Sequence, residues 1–261
     1  MIDINVIRDW FPGTIRNNPA FEKYMLKEYL QLMILDYIST SPFAGKLCFI
    51  GGTNLRLIHG IDRFSEDLDF DCKDMTEDDF RTMSANIVSF LKMNDFEVET
   101  RDKNSPKLTA YRCNLYFPGL LFEMNLTGHR DERFLIKIEA QDQGISYVPE
   151  IAYVKGCGFF FPIQVPPTSV LCAMKLSALV TRTKGRDFYD SMFLLSKTQP
   201  DYDFLKQRCG IGSLNEFRTR IDELLKDVDI KTKARDFKHL LFNSSNSDKI
   251  LQLQEFLNSL G

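Results

Sequence analysis

The sequence is poor in the residues that build metal centres from nitrogen and sulfur. Its 261 residues include only three histidines and six cysteines. The histidines lie far apart, and no two cysteines form a CxxC pair. A zinc site or a disulfide framework is therefore not expected. We expect the cysteines to be buried free thiols.

Long apolar runs and an excess of positive charge are also missing. No apolar stretch reaches the roughly 20 residues of a membrane span, and the N-terminus does not show a signal-peptide pattern. These features predict a cytoplasmic protein without membrane contacts. The formal net charge of -3 excludes a general polyanion binder, so any contact with nucleic acid would need a local basic patch.

What the chain does contain is a mixed first half followed by helices. Apolar periodicity, alternation and turn residues predict helices at 18–40 (amphipathic), 53–60, 75–94, 168–182, 186–197, 214–226, 231–242 and 247–260, strands at 46–52, 65–71, 95–101, 108–117, 119–126 and 133–140, and a proline-rich hinge at 162–169. The prediction is an α+β fold. A mixed β-sheet flanked by helices, 1–161, is followed by a C-terminal helical domain, 162–261.

Three aspartates alternate along one predicted strand. In the segment SEDLDFD, the side chains of Asp67, Asp69 and Asp71 share one face, and the residues between them share the other. Carboxylates this close repel one another, so a cation between them is expected. Hard oxygen ligands at alternate positions suit Mg²⁺.

Other interpretations of this strand remain open. It could be a solvated strand face, or Asp69 or Asp71 could be a phosphatase-type nucleophile. An EF-hand loop starting at Asp67 does not fit, because Cys72 stands where that loop needs glycine and Asp78 where it needs glutamate.

A glycine pair precedes the aspartates. Gly51, Gly52 and Thr53 leave the apolar strand KLCFI and open a helix. Backbone N–H groups at such a turn can hold phosphate oxygens, and glycine lets a ligand approach the backbone closely. A phosphate-binding turn followed closely by an acidic strand points to metal-assisted phosphate chemistry.

The spacing across this region extends to further positions. They are Gly51, Gly52, Thr53, Leu55, Gly60, Arg63, Ser65, Asp67 and Asp69. The pattern resembles the GG[ST]xxL…GxxRxSxDxDF signature of the nucleotidyltransferase-like AbiEii/AbiGii toxin family, in the DNA polymerase beta-type nucleotidyltransferase superfamily. A second block, MKLSALVTRTKGRDFYDSMFLL, resembles the downstream KxxALxxRxxxRDxxDLxxL block of that family. The resemblance covers roughly residues 20–200.

The resemblance implies a two-metal site. Asp67 and Asp69 would bind two Mg²⁺ ions, and a third carboxylate would come from a later strand. Glu139 in FLIKIEAQ is the candidate, since it shares a strand face with Leu135 and Lys137. Glu123 is the alternative, and either residue could instead be a surface acid.

The resemblance also implies phosphate contacts. Gly51, Gly52, Thr53 and Ser65 would contact the phosphates of the nucleotide. Lys175 lies in an apolar helix, near Arg182 at helical spacing, and both, together with Arg63, would neutralise the triphosphate. Asp187 is a candidate catalytic residue, although it equally fits a helix N-terminus or an ion pair with an arginine.

The function expected from the resemblance is Mg²⁺-dependent transfer of a nucleoside monophosphate from an NTP to an acceptor hydroxyl. The acceptor would be a tRNA 3′ end or a protein side chain. The protein would act as the toxin of a bacterial toxin–antitoxin or phage-defence system, with a cognate antitoxin. The alternatives are a non-catalytic interaction protein that keeps the fold, or a metal-dependent phosphatase.

Overall fold

The computed structural model describes residues 3–100 and 110–260. The chain divides into two compact units. The first comprises the described parts of Met1–Gly60, Phe64–Gly144 and Glu150–Val165, and the second comprises Ile61–Arg63, Ile145–Pro149 and the described part of Pro166–Gly261. No helix in the described ranges is both long and apolar enough to span a membrane.

The first unit holds the strands and the N-terminal helices. In chain order these elements are α1 (Ile4–Asp9), α2 (Gly13–Arg16), α3 (Glu22–Ser39), β1 (Leu47–Ile50), α4 (Gly51–Leu57), β2 (Asp67–Cys72), α5 (Glu77–Met93), β3 (Glu99–Thr100), β4 (Tyr111–Tyr116), α6 (Leu120–Glu123), β5 (Leu135–Gln141), β6 (Glu150–Gly156) and β7 (Phe159–Val165).

The strands form a mixed sheet and a separate hairpin. The five-stranded sheet has the order β1-β2-β5-β4-β3. Its central pair, β2 and β5, is parallel, and the other neighbouring pairs are antiparallel. Strands β6 and β7 pair with each other in a two-stranded antiparallel sheet. The predicted α+β class and mixed sheet are confirmed.

Helix α3 is the buried centre of the first unit. The side chains of Leu30, Leu32, Ile34 and Leu35 are fully buried, and the helix packs against α1, α5 and β7. A helix that is apolar on nearly every side is a core helix. The prediction of a helix here is confirmed, but its expected amphipathic character is wrong.

The second unit is helical. Its elements are α7 (Thr168–Arg182), α8 (Gly185–Leu195), α9 (Tyr202–Cys209), α10 (Leu214–Leu224), α11 (Ile230–Asp236), a 3-10 segment (Ser244–Gln252) and α12 (Leu253–Ser259). The core of this unit includes the fully buried side chains of Phe188, Leu194, Phe217 and Ile221.

Two sequence predictions in the first unit are wrong. The predicted strand at 119–126 contains helix α6, which begins after Gly119 in the left-handed conformation (φ 68°). The burial of Leu120, Leu121 and Met124 follows helical spacing. The predicted hinge at 162–169 begins inside strand β7, where Pro162 lies opposite Tyr153. Proline is tolerated there because each strand of a hairpin has an outer edge. The predicted strands at 95–101 and 108–117 extend partly outside the described residues.

Candidate active site

The turn from β1 into α4 lies against the acidic strand. Strands β1 and β2 are antiparallel neighbours, and Ile50 is the register partner of Asp69. Gly51 follows with φ 82°, and a Cβ atom there would collide with the Asp69 carboxylate. Only glycine combines this backbone conformation with so close an approach. The glycine pair and the aspartates are therefore adjacent in space as well as in sequence.

The three aspartates of β2 have different surroundings. Asp67 and Asp69 are partly exposed, whereas Asp71 is buried. The Asp71 carboxylate accepts a hydrogen bond of 2.9 Å from the backbone N–H of Gln143. The carboxylate of Asp71 therefore anchors the chain that leaves β5, and Asp67 and Asp69 form the accessible acidic pair.

Glu139 lies directly beside this pair. Strands β2 and β5 run parallel with Asp69 opposite Glu139 and Asp67 opposite Lys137. Along β5 the half-exposed Leu135, Lys137 and Glu139 alternate with buried residues, as predicted. Glu123, the alternative third carboxylate, is exposed on α6 and is not on a strand. The strand register thus brings Asp67, Asp69 and Glu139 together on one face of the sheet.

Two cations lie among these carboxylates. The Lys137 ammonium is 3.2 Å from Asp67 Oδ2 and 3.5 Å from Glu139 Oε2. Burial opposes its charge, but the carboxylates of Asp67, Glu139 and Asp69 outweigh burial and raise the pKa of Lys137. Arg112, opposite Glu139 on β4, donates from Nε to Glu139 Oε2 at 2.8 Å.

Sequence reasoning gave neither cation a role. Lys137 could have been found, because it stands two residues before Glu139 on the same strand face. Arg112 could not, because its position beside Glu139 depends on how β4 pairs with β5, and register between strands distant in sequence is not encoded locally.

The donor chemistry of this face fits a divalent cation. The three carboxylates supply hard oxygen ligands of the type that Mg²⁺ prefers, and a positive group, the Lys137 ammonium, already lies among them. As the side chains stand, no three His, Cys, Asp or Glu residues in the described ranges are close enough together to hold a metal ion. A bound metal would require Lys137 to move.

The other predicted phosphate contacts have structural partners. The Thr53 hydroxyl donates to the backbone carbonyl of Asp67, which ties the start of α4 to the start of β2. Gly52 is buried, and so is Ser65, whose backbone carbonyl accepts a hydrogen bond of 3.2 Å from Gln31. The predicted contacts of Gly52, Thr53 and Ser65 with phosphates are untested and stay predictions.

A buried ion cluster occupies the second unit. Arg63 donates to both carboxylate oxygens of Asp190, at 2.8 and 2.7 Å, and Lys175 donates to Asp190 Oδ2 at 2.8 Å. Burial alone would raise the pKa of Asp190, but Arg63 and Lys175 lower it to about 2. The low pKa keeps the Asp190 carboxylate ionised between Arg63 and Lys175 at neutral pH.

Asp187 has both structural features that were considered for it. It is fully buried in the first turn of α8. Its carboxylate accepts hydrogen bonds from Arg182, at 2.9 Å, and from the backbone N–H of Lys184. Its catalytic role remains a prediction.

A cavity of about 150 Å³ is lined by Phe70, which points away from the acidic face, and by residues such as Ile38, Leu47 and Ile163. Its lining does not include Asp67, Asp69 or Glu139. The candidate active site is therefore the open acidic face and not this cavity.

Solved structures resemble the chain over most of its length. MenT4, a nucleotidyltransferase toxin from Mycobacterium tuberculosis, aligns with a TM-score of 0.62 and 17% identity, covering 100% of this chain and 91% of that one. JHP933 from Helicobacter pylori aligns with a TM-score of 0.57 and 20% identity, covering 92% of each chain. At this identity the likeness shows the fold, which is the nucleotidyltransferase type of mixed sheet.

No curated protein sequence matches the chain. The family described as "Nucleotidyl transferase AbiEii toxin, Type IV TA system" matches residues 33–252. The matched region contains both the acidic face and the buried ion cluster. Because the match spans most of the sequence, it establishes an enzyme family as well as a fold: the chain belongs to the AbiEii nucleotidyltransferase toxins of type IV toxin–antitoxin systems.

Proposed function

We propose that this AbiEii-family enzyme transfers a nucleoside monophosphate from an NTP to an acceptor hydroxyl, with two Mg²⁺ ions held by Asp67, Asp69 and Glu139. The observation that supports this most is the parallel pairing of β2 with β5. It sets Glu139 opposite Asp69, and Asp69 also lies against Gly51 at the start of α4. Carboxylates and the predicted phosphate-binding turn are thus immediate neighbours.

In the proposed reaction the acceptor hydroxyl loses its proton to Glu139 or to solvent, and its oxygen attacks the α-phosphorus of the NTP. The bond from that phosphorus to the bridging oxygen breaks, and pyrophosphate leaves. Bound Mg²⁺ supplies charge stabilisation for the attacking and leaving oxygens. The chain itself supplies oxygen ligands from Asp67, Asp69 and Glu139. Backbone N–H groups at Gly52 and Thr53, together with Ser65, hold the phosphates. Gly51 allows this turn to approach the carboxylates without a side chain in between.

The family resemblance adds three basic residues to the proposal as triphosphate contacts: Lys175, Arg63 and Arg182. Of the two cations on Asp190, Lys175 is the less enclosed, with a side chain that is 9% exposed against 1% for Arg63. Asp187 orients Arg182 through their ion pair.

The proposal also includes the acceptor, the cellular location and a protein partner. The acceptor is a tRNA 3′ end or a protein side chain, the protein acts in the cytoplasm, and a cognate antitoxin opposes it. The family match supports the cognate antitoxin, and the acceptor and the location are part of the proposal.

The deciding experiment supplies each α-labelled NTP in turn, with Mg²⁺, to the purified protein together with total RNA or cell lysate. We expect label to move to RNA or protein, and EDTA to prevent it. Asp69→Asn should abolish transfer without unfolding the protein, because it removes a negative charge from a crowded acidic face.

Glu66→Gln is the matched control. Glu66 precedes β2, and its carboxylate pairs with Lys27 and not with the acidic face, so this variant should transfer normally. Full transfer by Asp69→Asn would refute the metal role. In wild type, release of free phosphate without labelled acceptor would favour the phosphatase, and neither product would favour a binding protein.

A further inference from the structure

Lys137 occupies a position that the proposed reaction does not explain. Its ammonium bridges Asp67 on β2 and Glu139 on its own strand, two of the three proposed metal ligands. Strand register fixes this position, since Lys137 lies opposite Asp67 while Glu139 lies opposite Asp69. A cation is thus built into the place where a metal would have to bind.

The charges of the face are nearly balanced before any ligand binds. The carboxylates of Asp67, Asp69 and Glu139 contribute three negative charges, and Lys137 and Arg112 contribute two positive ones. A divalent ion alone would meet carboxylates that are already paired. A triphosphate alone would bring about four further negative charges to a face that is slightly negative.

The net charge of the acidic face stays the same when divalent metal ions and the triphosphate bind together. Two divalent ions offset the charge of the triphosphate, so the face returns to the small net negative charge that it has without them. The Lys137 ammonium must then leave the carboxylates, and the triphosphate is the nearest new anion. Its side chain is 30% exposed, and four flexible carbons let the ammonium move.

We propose that Lys137 is a resident counter-cation of the acidic face, which leaves Asp67 and Glu139 when metal and nucleoside triphosphate bind together and so makes the binding of each depend on the other. This inference rests on the proposed function, because it takes the same carboxylates as metal ligands. Lys137 is a positioning residue in this role, since it controls access to those ligands.

The test measures Mn²⁺ binding by electron paramagnetic resonance of the free ion, without nucleotide and with α,β-methylene analogues of ATP, GTP, CTP and UTP in turn. In wild type we expect weak binding of Mn²⁺ alone and at least tenfold tighter binding with one analogue. Lys137→Met should bind Mn²⁺ alone at least tenfold more tightly than wild type, and the effect of the analogue should shrink by a similar factor.

Two control variants separate this role from a general charge effect. Lys137→Arg keeps the cation and should keep the dependence on nucleotide. Lys155→Met removes an exposed lysine of β6 and should leave Mn²⁺ binding unchanged. Circular dichroism of each variant shows whether it is folded. If Lys137→Met were misfolded, Lys137→Gln would replace it in the same titrations.

Equal Mn²⁺ affinity in wild type and Lys137→Met, or no Mn²⁺ binding by either, would overturn the inference. So would a wild-type affinity that none of the four analogues changes. Failure of the proposed function looks different. A wild type that moves no label to RNA or protein, yet shows the expected Mn²⁺ results, would lose the transfer proposal and keep the role of Lys137.

Discussion

At the scale of single residues, Gly51 is needed for two reasons: its backbone is left-handed, and the Asp69 carboxylate lies too close for a side chain. Its φ of 82° is in the left-handed region, and a Cβ atom would meet the Asp69 carboxylate. Gly51→Ala should therefore lower the free energy of unfolding by about 1–2 kcal/mol from the backbone alone, and more from the displaced carboxylate. Urea unfolding measures this change.

Gly45→Ala is the matched control. A Cβ atom at Gly45 has nothing within 4 Å, and the backbone there is not left-handed, so its stability should change little. Equal stabilities for the two variants would mean that the turn at Gly51 relaxes freely, and the close approach to Asp69 would then have no energetic consequence.

Asp190 is fully buried and forms ion pairs with two cations, Arg63 and Lys175. Asp190→Asn leaves Arg63 and Lys175 buried without their anion, and should lower the free energy of unfolding by about 3–5 kcal/mol. Lys175→Met should cost less, because Asp190 keeps both hydrogen bonds from Arg63. Thermal or urea unfolding at neutral pH ranks the two variants.

The same carboxylate predicts a dependence on pH. Its pKa is lowered from 3.8 to about 2 by Arg63 and Lys175, against the effect of burial. Its contribution to stability is therefore fully present above pH 4 and is lost as the pH falls through 2. The stability difference between wild type and Asp190→Asn should shrink over that range, whereas a difference that is constant down to pH 2 would contradict the lowered pKa. Asp227→Asn, an exposed acid of the same unit, should track wild type throughout.

Individual residues of the candidate site were predictable where their signal is local. Alternation identified Asp67 and Asp69, and alternation in FLIKIEAQ, with the family resemblance, identified Glu139 beside Lys137. Local sequence patterns do not say which strands pair with each other in the sheet. The position of Arg112 beside Glu139 therefore emerges only from the observed register of β4 with β5.

At the scale of elements, the buried side of β5 holds its acidic side in position. Ile136, Ile138 and Ala140 are fully buried, and their burial holds the opposite face of the strand in place. Ile138→Ala should lower the free energy of unfolding by about 2–5 kcal/mol through loss of apolar contact and a cavity. Leu135→Ala, at a half-exposed position of the same strand, should cost clearly less. Similar urea midpoints for the two variants would contradict the assigned faces.

Helices and strands with clear sequence patterns were predicted correctly, and those with ambiguous patterns were not. The helix predicted at 75–94 is α5, and the structure has the complete capping box of Thr76 and Asp79 at its start. Segment 119–126 failed because a short apolar run fits a strand or a helix equally well. The end of β7 was predicted as a hinge because the prolines that flank 163–165 favour a hinge over a strand, and no strand was predicted at β6.

At the scale of the whole molecule, the path of the chain links the two compact units. Ile61–Arg63 belongs to the second unit although it lies between α4 and β2 of the first, and Ile145–Pro149 is a second such segment. Sequence reasoning placed one boundary near residue 161, because a proline-rich segment begins there and the pattern after it is helical. It could not detect short segments that pair with distant residues, as Arg63 does with Asp190.

This path predicts that the two units unfold together. Loss of the second unit frees Ile61–Arg63, and three residues on each side join this segment to α4 and to β2 of the first. Trp10, the single tryptophan, reports on the first unit, while circular dichroism follows both. In urea, the fluorescence and circular dichroism transitions of wild type should coincide, as two-state unfolding requires.

Asp190→Asn, a change in the second unit, should lower the midpoint of the Trp10 signal as well. Asp227→Asn should leave both midpoints in place. A Trp10 midpoint that stays at the wild-type value in Asp190→Asn, while circular dichroism shows an earlier transition, would mean that the units unfold independently despite their shared chain path.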